Sequence, residues 1–270
     1  MKGRKIFSYS ILILFSIMMG FPFFYLVSLS LQSEQEAMRI PPTLLPAIPR
    51  FINYLKVLNR APLLLYLKNS FIFAGLTTLG LLITASLASY ALTKLRFPGR
   101  SFWTLAFIFT ILLPPAVRVV PLYTFIAKLS WTNTWQGLIL PLTMTGFGVF
   151  FMRQYLIQIS NEPIEAARID GASEFRIFLQ IILPLCKPAI GTVALLNFIF
   201  RWNGFLWPLV MTHGKNVPLT VGLASFQSSE QFVSWNIIAA AAMFLTIPSF
   251  LLFIFMQKYI IKGIAIGASK

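Results

Sequence analysis

Six long stretches that carry no charged residue, or only one, decide most of what this chain can fold into. They run Ile6–Leu31, Asn69–Thr93, Ser101–Val117 with an extension past Arg118 towards Ala127, Thr132–Met152, Pro188–Thr212 with Arg201 alone inside it, and Phe232–Gln257. About 20 apolar residues in a helix cross the roughly 30 Å of hydrocarbon in a bilayer. The expected fold is therefore an all-α integral membrane protein with six transmembrane helices. A cleavable leader would have an apolar run of about 7–15 residues and a small-residue cleavage site. Ile6–Leu31 is longer and passes into Gln32-Ser33-Glu34 without such a site, so it is read as a retained first helix.

Composition agrees with lipid as the solvent. Hydrophobic residues make up 57% of the 270 and charged ones 11%, against about 25% charged in soluble domains. The formal charge of +15 forms no stripe or arm, so no nucleic-acid partner is expected. The basic residues sit instead at the ends of the apolar runs, where short-loop Lys and Arg favour the cytoplasmic side. Lys2, Arg4 and Lys5, then Lys94, Arg96 and Arg100, then Arg153, Arg168, Arg176 and Lys187, and finally Lys258, Lys262 and Lys270 all fall on one side. Both termini are thus expected in the cytoplasm. Lys128 and Lys215 mark the two later outside loops. The first outside loop, Gln32–Lys68, holds Pro41, Pro42, Pro46 and Pro49 and is expected to be an ordered, non-helical excursion.

The inventory of reactive groups is short. Cys186 is the single cysteine and His213 the single histidine, so neither a disulfide within the chain nor a His/Cys metal cluster is expected. His213 reads as a solvated loop residue. No Gly-x-x-x-x-Gly-Lys-Ser/Thr phosphate loop is present, so the chain carries no nucleotide site of that kind. Ion-coupled secondary transporters place acidic residues inside their spans. None of the seven acids here lies in an assigned span, Glu230 coming nearest at the edge of the sixth.

Four of those acids, Glu162, Glu165, Asp170 and Glu174, concentrate between the fourth and fifth stretches. Asn161 suits a helix cap, Pro163 the first turn, and Glu162 and Glu165 the positive end of the helix dipole. Gly171 supplies the left-handed turn that ends this helix. A second helix is expected from Ser173, with Phe175, Phe178, Ile181 and Ile182 on one face and with Pro184 and Pro188 stopping it and opening the next span. Small Ala166 and Ala167 leave room for a partner to approach closely.

Glu165-Ala166-Ala167, three residues, Gly171, nine residues, and Ile181-x-Leu183-Pro184 resembles the EAA loop of ABC-importer permeases in every fixed position. Asp170, Ala172, Phe178 and Pro188 fit its fuller sugar-permease form. The segment Phe198–Leu209, with Trp202-Asn203 and Trp207-Pro208, resembles the Trp-Asn segment of permeases of the maltose-transporter class, and Gly263–Lys270 is similar to that class's short tail. The likeness runs from about Lys68 to the end.

The resemblance implies a type I ABC-importer permease fold in a bacterial or archaeal inner membrane. It also implies an organisation of 1–67 as first helix and periplasmic loop, 68–260 as permease core containing a coupling loop at 159–188, and 261–270 as cytoplasmic tail. The coupling set would be Glu165, Ala166, Ala167, Asp170, Gly171, Ala172, Phe178 and Pro184, docking on a separate ATPase. The chain would bind no cofactor itself, ATP and Mg belonging to the partner ATPase dimer. The other partners implied are a second, homologous permease, a periplasmic or lipid-anchored solute-binding protein, and membrane lipid.

A candidate solute pathway is formed by Asn197, Arg201, Trp202, Asn203, Trp207 and Arg118. Trp202, Asn203 and Trp207 have two readings, a sugar-stacking surface or interfacial belt residues. Arg201 departs from the small or neutral residue usual for that class. It stands either for an anionic solute or neighbouring chain, or for a structural or snorkelling contact. Arg118 divides the same way. Ala239–Ala242 reads as a helix-packing surface.

Overall fold

The computed structural model describes residues 2–228 and 234–268, and Glu230 and the start of the sixth stretch at Phe232 lie outside them. All regular secondary structure among the described residues is helical, with no strand. The chain divides into two compact units, one of residues 1–65 and 222–248, the other of 66–221 and 249–270.

In the first unit, α1 (Lys2–Ser30) contains a membrane-length stretch, Phe7–Ser30, which is exposed at every position from Phe7 to Phe24. At 1.5 Å per residue those 24 residues reach about 36 Å, enough to cross a bilayer. Phe15, Ile17, Met18 and Met19 are among its exposed side chains, an all-round apolar surface suited to lipid.

The excursion that follows is ordered, as expected, but it is partly helical. α2 (Glu34–Ala37) and α3 (Ile52–Arg60) form within it. Ser33 and Glu36 make a reciprocal capping box at α2, a pattern written in the sequence as Ser-x-x-Glu. The Glu36 carboxylate also accepts from the Ala47 backbone. The Ser33 and Ala47 amides, the Ser33 hydroxyl and Arg50 bring its pKa down to about 2. Asn53 reaches the Ser30 and Gln32 carbonyls, and Asn236 donates to the Gln32 carbonyl as well. Ala239, Ala240 and Ala241 are buried in the same unit, in line with a packing surface.

The second unit is built on α4 (Leu63–Lys94), whose 32 residues exceed a hydrocarbon core in length. α5 (Arg100–Leu112) and α6 (Pro115–Lys128) follow. The third expected span is not one straight helix, because these two are bent 107° apart at Leu113-Pro114. Pro114 lacks the amide that would continue the ladder, and Pro115 and its fixed φ start the next helix.

The fourth stretch forms α7 (Trp135–Ile139), a short 3₁₀ turn and α8 (Gly146–Ile157). Gly146 lets α8 approach the Phe107 backbone of α5, and a side chain there would collide with a carbonyl that cannot move aside.

The loop segment gives α9 (Glu162–Ile169), α10 (Glu174–Ile177), a π turn at Phe178–Ile182, and α11 (Leu183–Leu185). α12 (Lys187–Trp202), α13 (Leu206–Met211), α14 (Leu219–Ser228) and α15 (Trp235–Ala268) complete the chain. The fifth stretch therefore breaks at Asn203–Phe205, which puts Arg201 in the last turn of α12 and not mid-helix. Four described helices are long and apolar enough to span a membrane, or up to six if each bent pair counts as one span.

Candidate functional site

The loop helix α9 is held from below by one apolar anchor. Ile164, 2% exposed, enters a core with Leu81, Tyr90, Met152, Leu156, Ile177, Phe178 and Ile182. Burying such a side chain stabilises by about 1.5–3 kcal/mol. The outward side carries Glu165, Ala166, Ile169 and Asp170, all exposed. Ile169 is 88% exposed, an apolar side chain presented on an otherwise polar helix.

Gly171 ends α9 as expected, with φ +77°. The Ala172 amide donates to the Ala167 carbonyl at 2.9 Å and the Gly171 amide to Arg168 at 3.0 Å, the paired bonds of a Schellman turn. Ala167 and Ala172 pack partly into the core beneath this turn. Ser173 then caps α10 by accepting the Arg176 amide.

Two expectations for the loop are corrected. Asn161 does not cap α9. Its Oδ1 accepts from the Lys94 ammonium at 2.7 Å, while the Ser160 hydroxyl accepts the Glu162 amide. Pro184 lies just inside the second helix, which ends one residue later at Leu185 before a 76° bend into α12, where Pro188 opens the next span as expected. The apolar face is Ile177, Phe178 and Ile182, whereas Phe175 is 65% exposed. The π turn adds an extra residue per turn and shifts the face from the simple helical spacing.

Long-range polar contacts lock this two-helix element to the ends of its neighbours. Lys94 also donates to the Ile159 carbonyl at 2.7 Å. Glu174 accepts from the Tyr90 hydroxyl at 2.6 Å and from Arg168 Nε at 2.7 Å, tying α10 to α4 and α9 at once. The Arg168–Glu174 pair is only partly shielded, so its worth lies in orientation more than in energy. Beside these contacts lies an open groove of about 760 Å³ lined by Lys94, Arg96, Phe97, Asn161, Glu165 and Arg168. Tyr90, Ile164 and Ile169 were not singled out from sequence, and Lys94 and Glu174 were read only as flanking and loop charges. Only fold contacts across 60 or more residues reveal Tyr90 and Lys94.

The coupling set thus separates by position. Glu165, Ala166, Asp170 and Pro184 are exposed, Phe178 is buried, and Gly171 fixes the turn.

Of the pathway residues, Arg118 is exposed in the first turn of α6 and Arg201 stands over the Phe200 ring in the last turn of α12. Asn197 is buried and donates to the Thr78 hydroxyl at 2.9 Å. Trp202, 1% exposed, packs on Phe71 and Phe198. The Trp207 indole donates to the Leu138 carbonyl at 3.0 Å. Asn203 is exposed and turns back to the Ile199 carbonyl. His213 is exposed. Among the described residues no group of three His, Cys, Asp or Glu side chains is arranged to hold a metal.

Residues 80–266 match the family described as binding-protein-dependent transport system inner membrane component. The sn-glycerol-3-phosphate transport system permease protein UgpE of Pectobacterium atrosepticum is 32% identical over 271 residues, covering 97% of this chain and 96% of that protein. Its counterpart in Escherichia coli O1:K1 is also 32% identical, over 267 residues, covering 96% of this chain and 95% of that protein. A chain in the crystal structure of a bacterial ABC transporter involved in the import of the acidic polysaccharide alginate superposes with a TM-score of 0.83 at 25% identity, over 96% of both chains. The family match covers well over half of the sequence, and the apolar helices, the two-helix loop and the matched structure agree with it. The chain belongs to the binding-protein-dependent transport system inner membrane components, the multi-pass permease subunits of ABC importers.

Proposed function

We propose that this permease carries a sugar or sugar-like polar solute by alternating access, driven through the loop 161–188 by a separate ATPase dimer. ATP binding would close the ATPases, draw the loop of this chain towards that of a second permease, and turn the cavity outward. Hydrolysis would return it inward. The observation that carries this reading is the construction of α9, anchored by one buried isoleucine and clamped by Lys94, with Glu165, Ala166, Ile169 and Asp170 left exposed on a helix too short to stand alone. Such an element transmits force between a partner and the core without reacting itself.

The cargoes named for the relatives, sn-glycerol-3-phosphate and alginate, support a polar, sugar-derived solute. A second solved structure of a bacterial alginate ABC transporter holds a periplasmic protein bound to an alginate pentasaccharide, and that neighbour supports a solute-binding partner here. The loop end would face the cytoplasm, as would both termini, and ATP with Mg would bind on the ATPases alone. The 1–67, 68–260 and 261–270 organisation belongs to the same reading.

Reconstitution in vesicles tests it. The chain with a second permease, the ATPase and a binding protein should accumulate solute when ATP is supplied on the loop side. Uptake that continues without the ATPase, driven by an ion gradient, would overturn the proposal.

A further inference from the structure

The excursion that follows α1 folds back onto the end of the span. The Ser28 hydroxyl donates to the Leu44 carbonyl at 2.6 Å, Gln32 Nε2 to the Thr43 carbonyl at 2.9 Å, and the Arg50 amide to the Leu31 carbonyl at 2.8 Å. Asn53 ties α3 to the Ser30 carbonyl at 2.8 Å. The span Phe7–Ser30 ends within two residues of each attachment point on α1. Thr43, Leu44, Arg50 and Asn53 therefore meet the chain within about 3 Å of the span's end, measured along its axis.

Much of what the excursion exposes at this level is apolar. Ile40 is 93% and Ile48 72% exposed, and Leu44, Leu45 and Phe51 are exposed as well. α3 turns polar Asn53 inward and leaves Ile52 and Leu55 outside, the reverse of a helix whose outer face meets water. Clustered apolar side chains on a surface mark a membrane or protein contact. Their height favours the membrane, because the end of the span is where hydrocarbon gives way to head groups.

The same segment holds a cationic cleft. A groove of about 380 Å³ is lined by Ser33, Gln35, Glu36, Arg39, Ile48 and Arg50. Both Glu36 oxygens are engaged, Oε2 by the Ser33 amide and hydroxyl and Oε1 by the Ala47 amide. Arg39 and Arg50 are exposed and join no ion pair among the described residues. Two guanidinium groups against one carboxylate leave the groove net positive, and the guanidinium fork matches a phosphate. Lys56 and Arg60, exposed on α3, extend the positive charge.

We propose that the groove lined by Arg39 and Arg50 binds the phosphate of an anionic phospholipid, with Ile40, Leu44, Ile48 and Phe51 seated in the upper acyl region. The excursion is then an interfacial anchor for the first unit. Basic residues beside exposed apolar ones are the combination that holds such anchors on anionic membranes. The stretch Ile6–Leu31 carries no charge of its own, and the groove supplies charge at its far end. The proposal requires α1 to span the membrane and is independent of the solute and of the ATPase.

The test places an environment-sensitive fluorophore on Ile48→Cys in the complete complex, reconstituted in phosphatidylcholine vesicles with partner subunits free of cysteine. Cys186 is buried, so labelling is selective. Phosphatidylglycerol with a nitroxide high on its acyl chain should quench the label. At equal mole fraction it should do so about fivefold more efficiently than phosphatidylcholine with the same nitroxide. Arg39→Gln with Arg50→Gln should abolish that preference while quenching by phosphatidylcholine persists. A label on Phe51→Cys, which does not line the groove, should repeat the pattern. Equal quenching by the two lipids in the unaltered arginine background would overturn the proposal, as would an undiminished preference in the double variant. Quenching by aqueous iodide with none by either lipid would make the surface a solvated one and overturn it too. A label shielded from iodide and lipid alike would overturn it in favour of a covering protein. Shielding only after the binding protein is added would identify that partner, and shielding from the start the second permease.

Discussion

Gly171→Val will abolish binding-protein-stimulated ATP hydrolysis by the assembled complex while the chain still inserts in the membrane. At φ +77° an L-residue suffers a clash worth about 1–2 kcal/mol, and a β-branched one suffers more. The paired bonds from Ala172 to Ala167 and from Gly171 to Arg168 hold only in that conformation. Nothing lies within 4 Å of the added Cβ, so the effect acts through the backbone and the angle between α9 and α10. Gly171→Ala, with the milder strain, should retain part of the stimulation, and Gly171→Asn more, since asparagine tolerates the left-handed region. Stimulated hydrolysis relative to basal, measured for the three variants, checks the order Asn above Ala above Val.

The second large effect is expected at Ile164. Truncation to alanine removes the buried anchor of α9 and costs about 2–5 kcal/mol, whereas Ile164→Val costs about 0.5–1.5 kcal/mol. α9 has eight residues and cannot remain helical by propensity alone, so Ile164→Ala should both lower the thermal midpoint of the detergent-purified chain and uncouple transport. Glu165→Ala separates the two roles. The Glu165 carboxylate is exposed and makes no hydrogen bond or ion pair among the described residues, so its loss should leave the midpoint unchanged and still impair coupling. Equal effects of both variants on the midpoint would assign Glu165 to the fold instead of the docking surface.

What the sequence encodes locally was legible. The left-handed turn at Gly171, the helix start at Ser173 and the early Pro163 each depend on a residue's own backbone preferences, and the structure places all three as read. The membrane-spanning character of the chain likewise follows from runs of apolar residues that need no tertiary information. What failed depends on distant partners or on changes of helical period. Asn161 has the side chain of a cap, but Lys94 claims it from 67 positions away. Phe175 fits a 3.6-residue face until the π turn after Ile177 displaces the pattern. Pro114 and Pro115 were visible at the end of the third stretch, yet only the fold shows that the chain turns by 107° there. In the outer excursion the four prolines point to non-helical backbone, yet the local pattern Ser33-x-x-Glu36 starts α2.

In the proposed mechanism α9 is the surface that meets the ATPase. Ala166 is exposed on it, and the one native thiol, Cys186, is buried, so Ala166→Cys offers a single reactive site to a short bifunctional thiol cross-linker in the assembled complex. Cross-linking of Ala166→Cys to the ATPase, its yield changing when ATP is added, is the predicted result. Capture of the ATPase from Ser130→Cys, on the far side of α6, with none from Ala166→Cys, would contradict it.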